Sequence, residues 1–362
     1  MSPGIRRREL LAAATLSGFA RTAHAEGIHP RLLNFPADFG AHPDTRTEWW
    51  YVTGTLESAQ TLRGFQVTFF RTRTGIDASH PSRFAARQLV FAHAALSDLP
   101  QGRLRHDQRI ARAGFGISQA AEGDTAVMLR DWRLQRDGPV TASRYRAQVA
   151  SDAAGFALDL VFTTTQPLLL QGDAGYSRKG PQPGEASHYY SQPQLAVSGN
   201  LTLDGRALSV RGKAWLDHEW SDTLLDPQAV GWDWIGMNLD DGGALTAFRL
   251  RRADGSALWA GGSHRAAGQT AARNFRPDEL RFTPGRIWTS AASRAAYPVE
   301  WTIDTPVGRF AVKALLDNQE LDSRASTGSV YWEGLSELTG AQGQRVGRGY
   351  LEMVGYAGSL KL

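Results

Sequence analysis

The chain of 362 residues contains no cysteine. That absence excludes a disulfide framework, a thiolate zinc site, an iron–sulfur cluster and a cysteine nucleophile. Lysine is almost as scarce, confined to Lys179, Lys213, Lys313 and Lys361, so the basic side of the charge balance is carried by arginine. Several signatures are missing outright. Gly212-Lys213 is followed by Ala214, which leaves no phosphate-binding loop, and no dinucleotide glycine fingerprint or Gly-x-Ser-x-Gly elbow is found. His218-Glu219 opens like a zinc-protease motif, but Asp222 stands where the second histidine is required. The nine histidines show no pair at tight metal spacing. No metal and no cofactor are therefore expected, with ligands drawn from distant segments left open.

Charge is unevenly placed. The formal +4 comes from 40 basic and 36 acidic residues, and Arg6, Arg7, Arg8 and Arg21 against Glu9 supply most of the excess. Beyond residue 25 there remain 36 basic and 35 acidic residues, a balance that gives no reason to invoke nucleic acid. The arginine run, the modest apolar stretch from Leu10 to Phe19 and Ala23-His24-Ala25 follow one another as a twin-arginine export signal with a small-x-small cleavage site. The mature chain is expected to begin at Glu26 and to be periplasmic or otherwise exported. No later segment approaches ~18 uninterrupted apolar residues, so no membrane-spanning helix is expected.

What is abundant is glycine and aromatic residues: 38 Gly, with 11 Trp, 9 Tyr and 15 Phe. Short runs rich in aromatic and β-branched residues recur, among them 48–56, 62–73, 88–98, 144–150, 156–165, 194–203, 207–220, 231–239, 244–251, 309–316 and 347–354. In Phe65-Gln66-Val67-Thr68-Phe69 the period-2 alternation is plain. Asp204-Gly205, Asp240-Asp241-Gly242-Gly243 and Asp254-Gly255 supply turn chemistry, the first and last as tight hairpins. No long amphipathic helix is apparent. An all-β chain of two consecutive antiparallel barrels is predicted, since closure removes exposed sheet edges. The seam falls in the polar segment 221–230, giving domains 26–222 and 223–362. The stretch Gln166 to Pro193 is expected to be a long loop over a barrel mouth.

Six of the eleven tryptophans lie in two windows: Glu48-Trp49-Trp50-Tyr51, and the span from Trp215 through Asp217-His218-Glu219-Trp220 to Trp232-Asp233-Trp234. Alternation puts Trp215, Asp217 and Glu219 on one strand face and Leu216, His218 and Trp220 on the other. Either face brings a titratable group against indole. A carboxyl desolvated by indole is raised in pKa and can serve as a general acid, and indole faces stabilise a developing cation. That equipment suits protonation of an alkene. The same walls would bind a flat hydrophobic ligand unchanged, and the same acids would serve as a strand-end plug if arginines pair them.

The mature chain resembles the AttH-like and carotenoid 1,2-hydratase (hydroxyneurosporene synthase) group of lipocalin-like proteins. The matching residues are His42-Pro43, Glu48 to Tyr51, Gly64-Phe65-Gln66, Phe91-Ala92-His93, Gly175 to Gly180, Tyr189-Tyr190-Ser191, Gly212 to Trp220 and Gly231 to Trp234. The resemblance implies two lipocalin-like barrels in series. Together with the leader it points to an exported protein that binds an isoprenoid- or lipid-like molecule, and the resemblance alone implies a role beside components of an ABC transport system. The alternative it implies is a hydratase or isomerase acting on an isoprenoid double bond. Asp217 would then be the acid, His218 its partner or water activator, Glu219 and Asp233 further acids, and Trp215, Trp220, Trp232 and Trp234 the cation walls. Glu48, Trp49, Trp50, Tyr51, His93, Tyr189 and Tyr190 complete the expected ligand-binding set.

Overall fold

A computed structural model describes residues 27–77, 79–223 and 225–358. The twin-arginine segment and Ala23-His24-Ala25 lie outside them. Among the described residues regular structure is strand, with only four 3₁₀ turns of three residues each.

The first sheet contains β1 (Thr47–Ser58), β2 (Thr61–Arg73), β3 (Gln88–Asp98), β4 (Arg103–Arg112), β5 (Ser118–Ala120), β6 (Ala126–Leu129), β7 (Trp132–Asp137), β8 (Arg144–Ser151), β9 (Phe156–Thr163), β10 (Leu169–Leu170), β11 (Tyr176–Arg178), β12 (Ala186–Leu203) and β13 (Arg206–Ser221). Their order is β4-β3-β2-β1-β13-β12-β9-β8-β7-β6-β5, with β10 and β11 on the flank of β12. The two ends approach one another: Gly114, just past β4, bridges Ser118 of β5, and across the barrel the Arg109 guanidinium of β4 bonds the Ala150 carbonyl of β8. This nearly closed barrel is filled by the inward residues of alternating strands, including Trp50, Val52, Phe65, Val67, Phe69, Trp132, Leu216 and Trp220. The β12–β13 hairpin turns on Asp204 and Gly205, both at positive φ (48° and 80°), the geometry whose twist matches antiparallel strands.

The second sheet contains β14 (Gly231–Leu239), β15 (Ala244–Arg251), β16 (Ala257–Arg265), β17 (Arg273–Phe275), β18 (Arg281–Pro284), β21 (Glu300–Thr305), β22 (Gly308–Ala314), β23 (Glu320–Asp322), β24 (Val330–Thr339) and β25 (Arg345–Met353), while β19 (Ile287–Thr289) and β20 (Ala296–Pro298) form a separate ribbon. Its outermost strands β17 and β18 are joined by the short 3₁₀ segment Pro277–Glu279, so the chain itself closes the ring. The fold is thus all-β, with two consecutive lipocalin-like antiparallel barrels.

The barrels lie side by side, their closest strands being β1, β2, β12 and β13 of the first and β14, β24 and β25 of the second. Covered on both faces, β15 is buried at every position, its Arg249 and Arg251 paired with the buried Asp233. Gly64 permits the approach: a Cβ there would lie 2.6 Å from the Tyr350 hydroxyl and 2.8 Å from the Leu335 Cβ. The segment 166–193 is not a cap on a barrel mouth. It carries β10 and β11 against β12 and straps the two barrels together, Gln166 bonding the Gly242 carbonyl and Gln171 accepting from Ser263. Tyr189 and Tyr190 belong to β12 rather than to that loop. The Asp254-Gly255 turn is looser than a two-residue hairpin, closing through Gly255 onto the Arg252 carbonyl.

Candidate functional site: an acid-lined cleft between the barrels

Strand β13 sets the geometry. It lies between β1 and β12, with Tyr51 and Ser191 opposite Asp217, and Trp49 and Tyr189 opposite Glu219. Leu216, His218 and Trp220 fill the first barrel. Trp215, Asp217 and Glu219 therefore point outward, toward the second barrel. The second barrel answers with a cross-strand row of its own, Phe248, Trp234, Glu352 and Glu333 on β15, β14, β25 and β24.

Between these two outer faces is a cleft of about 1000 Å³ of atom-free space, part of it continuous with solvent. Trp49, Phe70, Trp232, Trp234, Phe248 and Leu250 give it apolar walls, and Thr223 and Leu225 of the inter-barrel linker lie at its edge. Polar groups converge on it from both sides: Asp217, Glu219, Tyr51, Tyr189 and Gln66 from the first barrel, and Glu333, Glu352 and Tyr331 from the second. Lys179, from the strap, enters over the Tyr189 and Phe248 rings at 4.6 and 4.3 Å from their centroids.

Asp217 is the most elaborately held of the acids. Its Oδ1 accepts from Ser191 Oγ (2.5 Å) and Trp215 Nε1 (2.7 Å), and its Oδ2 from the Tyr189 hydroxyl (2.8 Å). Tyr189 in turn accepts from Trp234 Nε1 at 3.3 Å, linking the barrels. Burial pushes the Asp217 carboxyl up, its three donors pull it back, and it comes to rest at about 7. Burial and the neighbouring Asp217 keep the Tyr189 phenol well above its ordinary range, so it remains a proton donor. Glu219 is different in kind: it pairs with Lys179 Nζ at 2.9 Å and accepts from Ser187.

The second barrel's acids form a like-charged pair directly opposite one another across two strands, an arrangement that disfavours double ionisation. Burial raises Glu352 to about 7 against the pull of its bond from Trp232 Nε1 (3.0 Å). Burial, reinforced by Glu352, holds Glu333 well above the usual carboxylate range. Gln66 Nε2 donates to Glu333 Oε2 at 2.7 Å, while Glu333 Oε1, Gln66 Oε1 and the Tyr51 hydroxyl make no hydrogen bond among the described residues.

The residues singled out from the sequence divide among several places. Asp217, Glu219, Trp49, Tyr51, Tyr189, Trp232 and Trp234 line the cleft, with Trp215 directly behind Asp217. Glu48, Trp50, Tyr190, His218 and Trp220 are in the first barrel. There Glu48 accepts from Arg71 Nε (2.8 Å) and meets His42 Nδ1 (2.7 Å) and His218 Nε2 (2.9 Å). His218 stacks on Trp50 and is pushed by burial down to about 4, hence neutral. Burial opposes ionisation of Glu48 too, but the hydrogen bonds from His218 and His42 outweigh it and hold the carboxyl below its usual range. Asp233 is consumed in another buried knot, bonded by Arg249, Arg251 and Tyr356. His93 stands behind the cleft, its Nδ1 2.8 Å from the Tyr331 hydroxyl and its Nε2 2.8 Å from Ser326 Oγ.

His42, Glu48 and His218 present ligand atoms within 4.8 Å of one another, the group among the described residues with the donor set for a cation. Arg71, 1% exposed, already neutralises Glu48 there, so an added cation would face a buried guanidinium. The cluster fits a charge-balanced plug better than a metal centre. Phe248, Tyr331, Glu333 and Glu352 were not singled out from the sequence, and Gln66 and Lys179 stood in stretches that carry the resemblance without being given a role in the site. The one local signal was Tyr331-Trp332-Glu333, an acid beside aromatic residues like Glu48-Trp49.

Two barrels in series with a carboxyl-rich aromatic cleft between them define a lipocalin-like, two-barrel class of protein. The AttH-like family model matches residues 26–356, and the chain belongs to that family. The crystal structure of an AttH-type protein from Nitrosomonas europaea shares 48% identity and superposes with a TM-score of 0.84, covering 92% of this chain and 99% of its own. Kievitone hydratase from Nectria haematococca shares 15% identity at a TM-score of 0.66, covering 92% and 98%. CghA, solved with Sch210972, shares 13% at 0.53, covering 87% and 89%. The last two likenesses are of fold. A comparison with curated proteins gave no match.

Proposed function

We propose that the cleft binds a hydrophobic, isoprenoid-like molecule and adds water to one of its double bonds, or removes it, by acid–base catalysis. The observation that carries this reading is Asp217: a desolvated carboxyl titrating at about 7, bonded through Tyr189 to the cleft and walled by indoles. In the hydration direction the protonated Asp217 donates to the Tyr189 oxygen, and Tyr189 gives its own hydroxyl proton to an alkene carbon while taking the Asp217 proton in its place. The π pair forms the new C–H bond and leaves a carbocation beside Trp49, Trp232 and Trp234, where the ring quadrupoles stabilise it. A water oxygen then bonds to the cation and its surplus proton passes to Glu219. Alkene and water are consumed, one alcohol is formed, and the proton on Glu219 returns by solvent to Asp217. Neither His218 nor Asp233 has a part in this scheme. The shared fold with a protein named for hydrating kievitone supports the reaction class, while the chain's own side chains supply the roles.

The twin-arginine leader favours a second reading, in which the exported protein carries its ligand to ABC transport components without altering it. Incubation of the mature protein with isoprenoid alkenes in ¹⁸O-labelled water separates the two. Incorporation of label that disappears in Asp217→Asn supports hydration; saturable binding with no label in any product leaves the carrier.

A further inference from the structure

Seven large apolar side chains are conspicuously exposed among the described residues, and five of them, Ile76, Phe84, Ile110, Phe115 and Ile117, belong to one end of the first barrel. They come from the β2–β3 loop, the end of β4 and the β4–β5 turn. Scattered exposed hydrophobes are ordinary, but a cluster at a loop tip is not. This one is built. The Phe84 and Phe115 rings stack at 5.4 Å with 6° between their planes. The Arg112 guanidinium lies over both, 5.3 and 4.3 Å from their centroids, and bonds the Phe84 carbonyl at 2.7 Å. Phe115 is held at φ 59° between Gly114 and Gly116, also at positive φ. A bulky residue in the left-handed region is disfavoured, and such strain gathers where a side chain is wanted for use.

The charge at this tip is predominantly positive. Arg73, Arg87 and Arg112 bond the carbonyls of Asp44, His80 and Phe84 rather than carboxylates, and Arg83 lies over the Phe84 ring at 5.4 Å. Asp77, the acid within the loop, is turned onto Ser79. In a chain that is otherwise balanced, arginines interleaved with exposed aromatics make a surface complementary to anionic headgroups above an apolar layer. The patch also leads somewhere. Ile110 is opposite Phe91, Phe91 opposite Phe70, and Phe70 opposite Trp49, so one row on the barrel's outer face runs from the tip to the cleft wall.

We infer that this tip docks the protein on an anionic lipid bilayer, Phe84 and Phe115 entering the interface and the arginines engaging the headgroups. Docking would put the aromatic row, and the cleft at its end, beside the phase in which a hydrophobic ligand is dissolved. The inference concerns the surface and stands whether or not the cleft is catalytic.

The test is co-flotation of the mature protein with vesicles of phosphatidylcholine alone and with about a third phosphatidylglycerol. Binding to the anionic vesicles is expected, weakening as ionic strength rises from about 0.1 to 0.5 M. Phe84→Ser with Phe115→Asn, the latter suited to the left-handed backbone, should reduce partitioning by about 10–100-fold while thermal melting stays unchanged. Arg83→Gln with Arg112→Gln should abolish the preference for anionic lipid. No binding to either vesicle, or binding unchanged in the Phe pair, overturns the inference. So does lipid-free dimerisation lost in the Phe pair, which would assign the patch to a second copy of the chain.

Discussion

Asp217 and His218 are consecutive in sequence and face opposite ways across one wall of the first barrel. Asp217 points out into the cleft, bonded to Tyr189; His218 points in, 2.9 Å from Glu48. The acidic, aromatic motif that contains them therefore serves two independent purposes. The inward half closes a barrel with a buried, charge-balanced cluster. The outward half presents to the cleft a buried carboxyl held by Ser191, Trp215 and Tyr189. Substitutions one residue apart should consequently report on stability and on chemistry separately.

The inward half is tested by Glu48→Gln. The amide keeps the shape but cannot balance Arg71, which is buried at 2.8 Å. Stranding a buried guanidinium is expected to cost about 3–5 kcal/mol. The melting temperature should fall by several degrees, whereas ligand affinity of the folded fraction should hold. A variant that melts like the parent would remove Glu48 from the set of residues that hold the barrel together.

Ligand entry should be visible in fluorescence. Trp49, Trp232 and Trp234 line the cleft, while Trp288 lies on the separate ribbon of the second barrel. A polyene or long-chain fatty acid should quench emission saturably. Trp234→Phe removes the indole N–H that Tyr189 accepts and should raise Kd by about 3–10-fold. Trp288→Phe should leave it unchanged. Equal effects from both would place the ligand elsewhere.

Legibility in the sequence followed local contrast. The all-β architecture was readable because runs such as Phe65 to Phe69 alternate cleanly and because Asp204-Gly205 is a two-residue hairpin signal. Strand β4 escaped notice because it is Arg103-Leu-Arg-His-Asp-Gln-Arg-Ile-Ala-Arg, polar on both faces. The Trp215 to Trp220 motif pointed to the site, and alternation gave the two faces. It could not say that the outer face would border a cleft, because the acids opposite, Glu333 and Glu352, stand more than a hundred positions later. Glu352 lies in Tyr350-Leu-Glu-Met, an ordinary strand until β14 and β24 bracket it. Cross-strand pairing, not sequence spacing, makes it part of a carboxyl pair.

Export is a separate prediction, resting on Arg6-Arg7-Arg8 and Ala23-His24-Ala25. Replacing Arg7 and Arg8 by lysine should leave precursor in the cytoplasm, since the twin-arginine route reads the guanidinium pair. N-terminal sequencing of the exported form should begin at Glu26. Unimpaired export of the double variant would rule out this route.

The outward half of the motif is tested by pH. Asp217 ionises at 3.8 when exposed and at about 7 in the fold, so the folded chain holds this proton more tightly than the unfolded chain does. Its contribution to stability is thus complete below pH 3.8 and is lost progressively as pH rises to about 7, above which it is flat. The slope it adds is at most about 1.4 kcal/mol per pH unit. Asp217→Asn removes that slope, so between those limits the variant should gain stability relative to the parent as pH rises. Glu352, which titrates at about 7 for the same reason of burial, leaves a residual slope that Glu352→Gln should remove in turn. If Asp217 delivers the proton, turnover should fall as pH rises through 7 and drop by about two to four powers of ten in Asp217→Asn at any pH. Parent and Asp217→Asn melting curves that run parallel from pH 4 to 7 would mean that Asp217 is ionised in the folded protein, and the proton on which the reaction depends would then have to come from the Glu333–Glu352 pair.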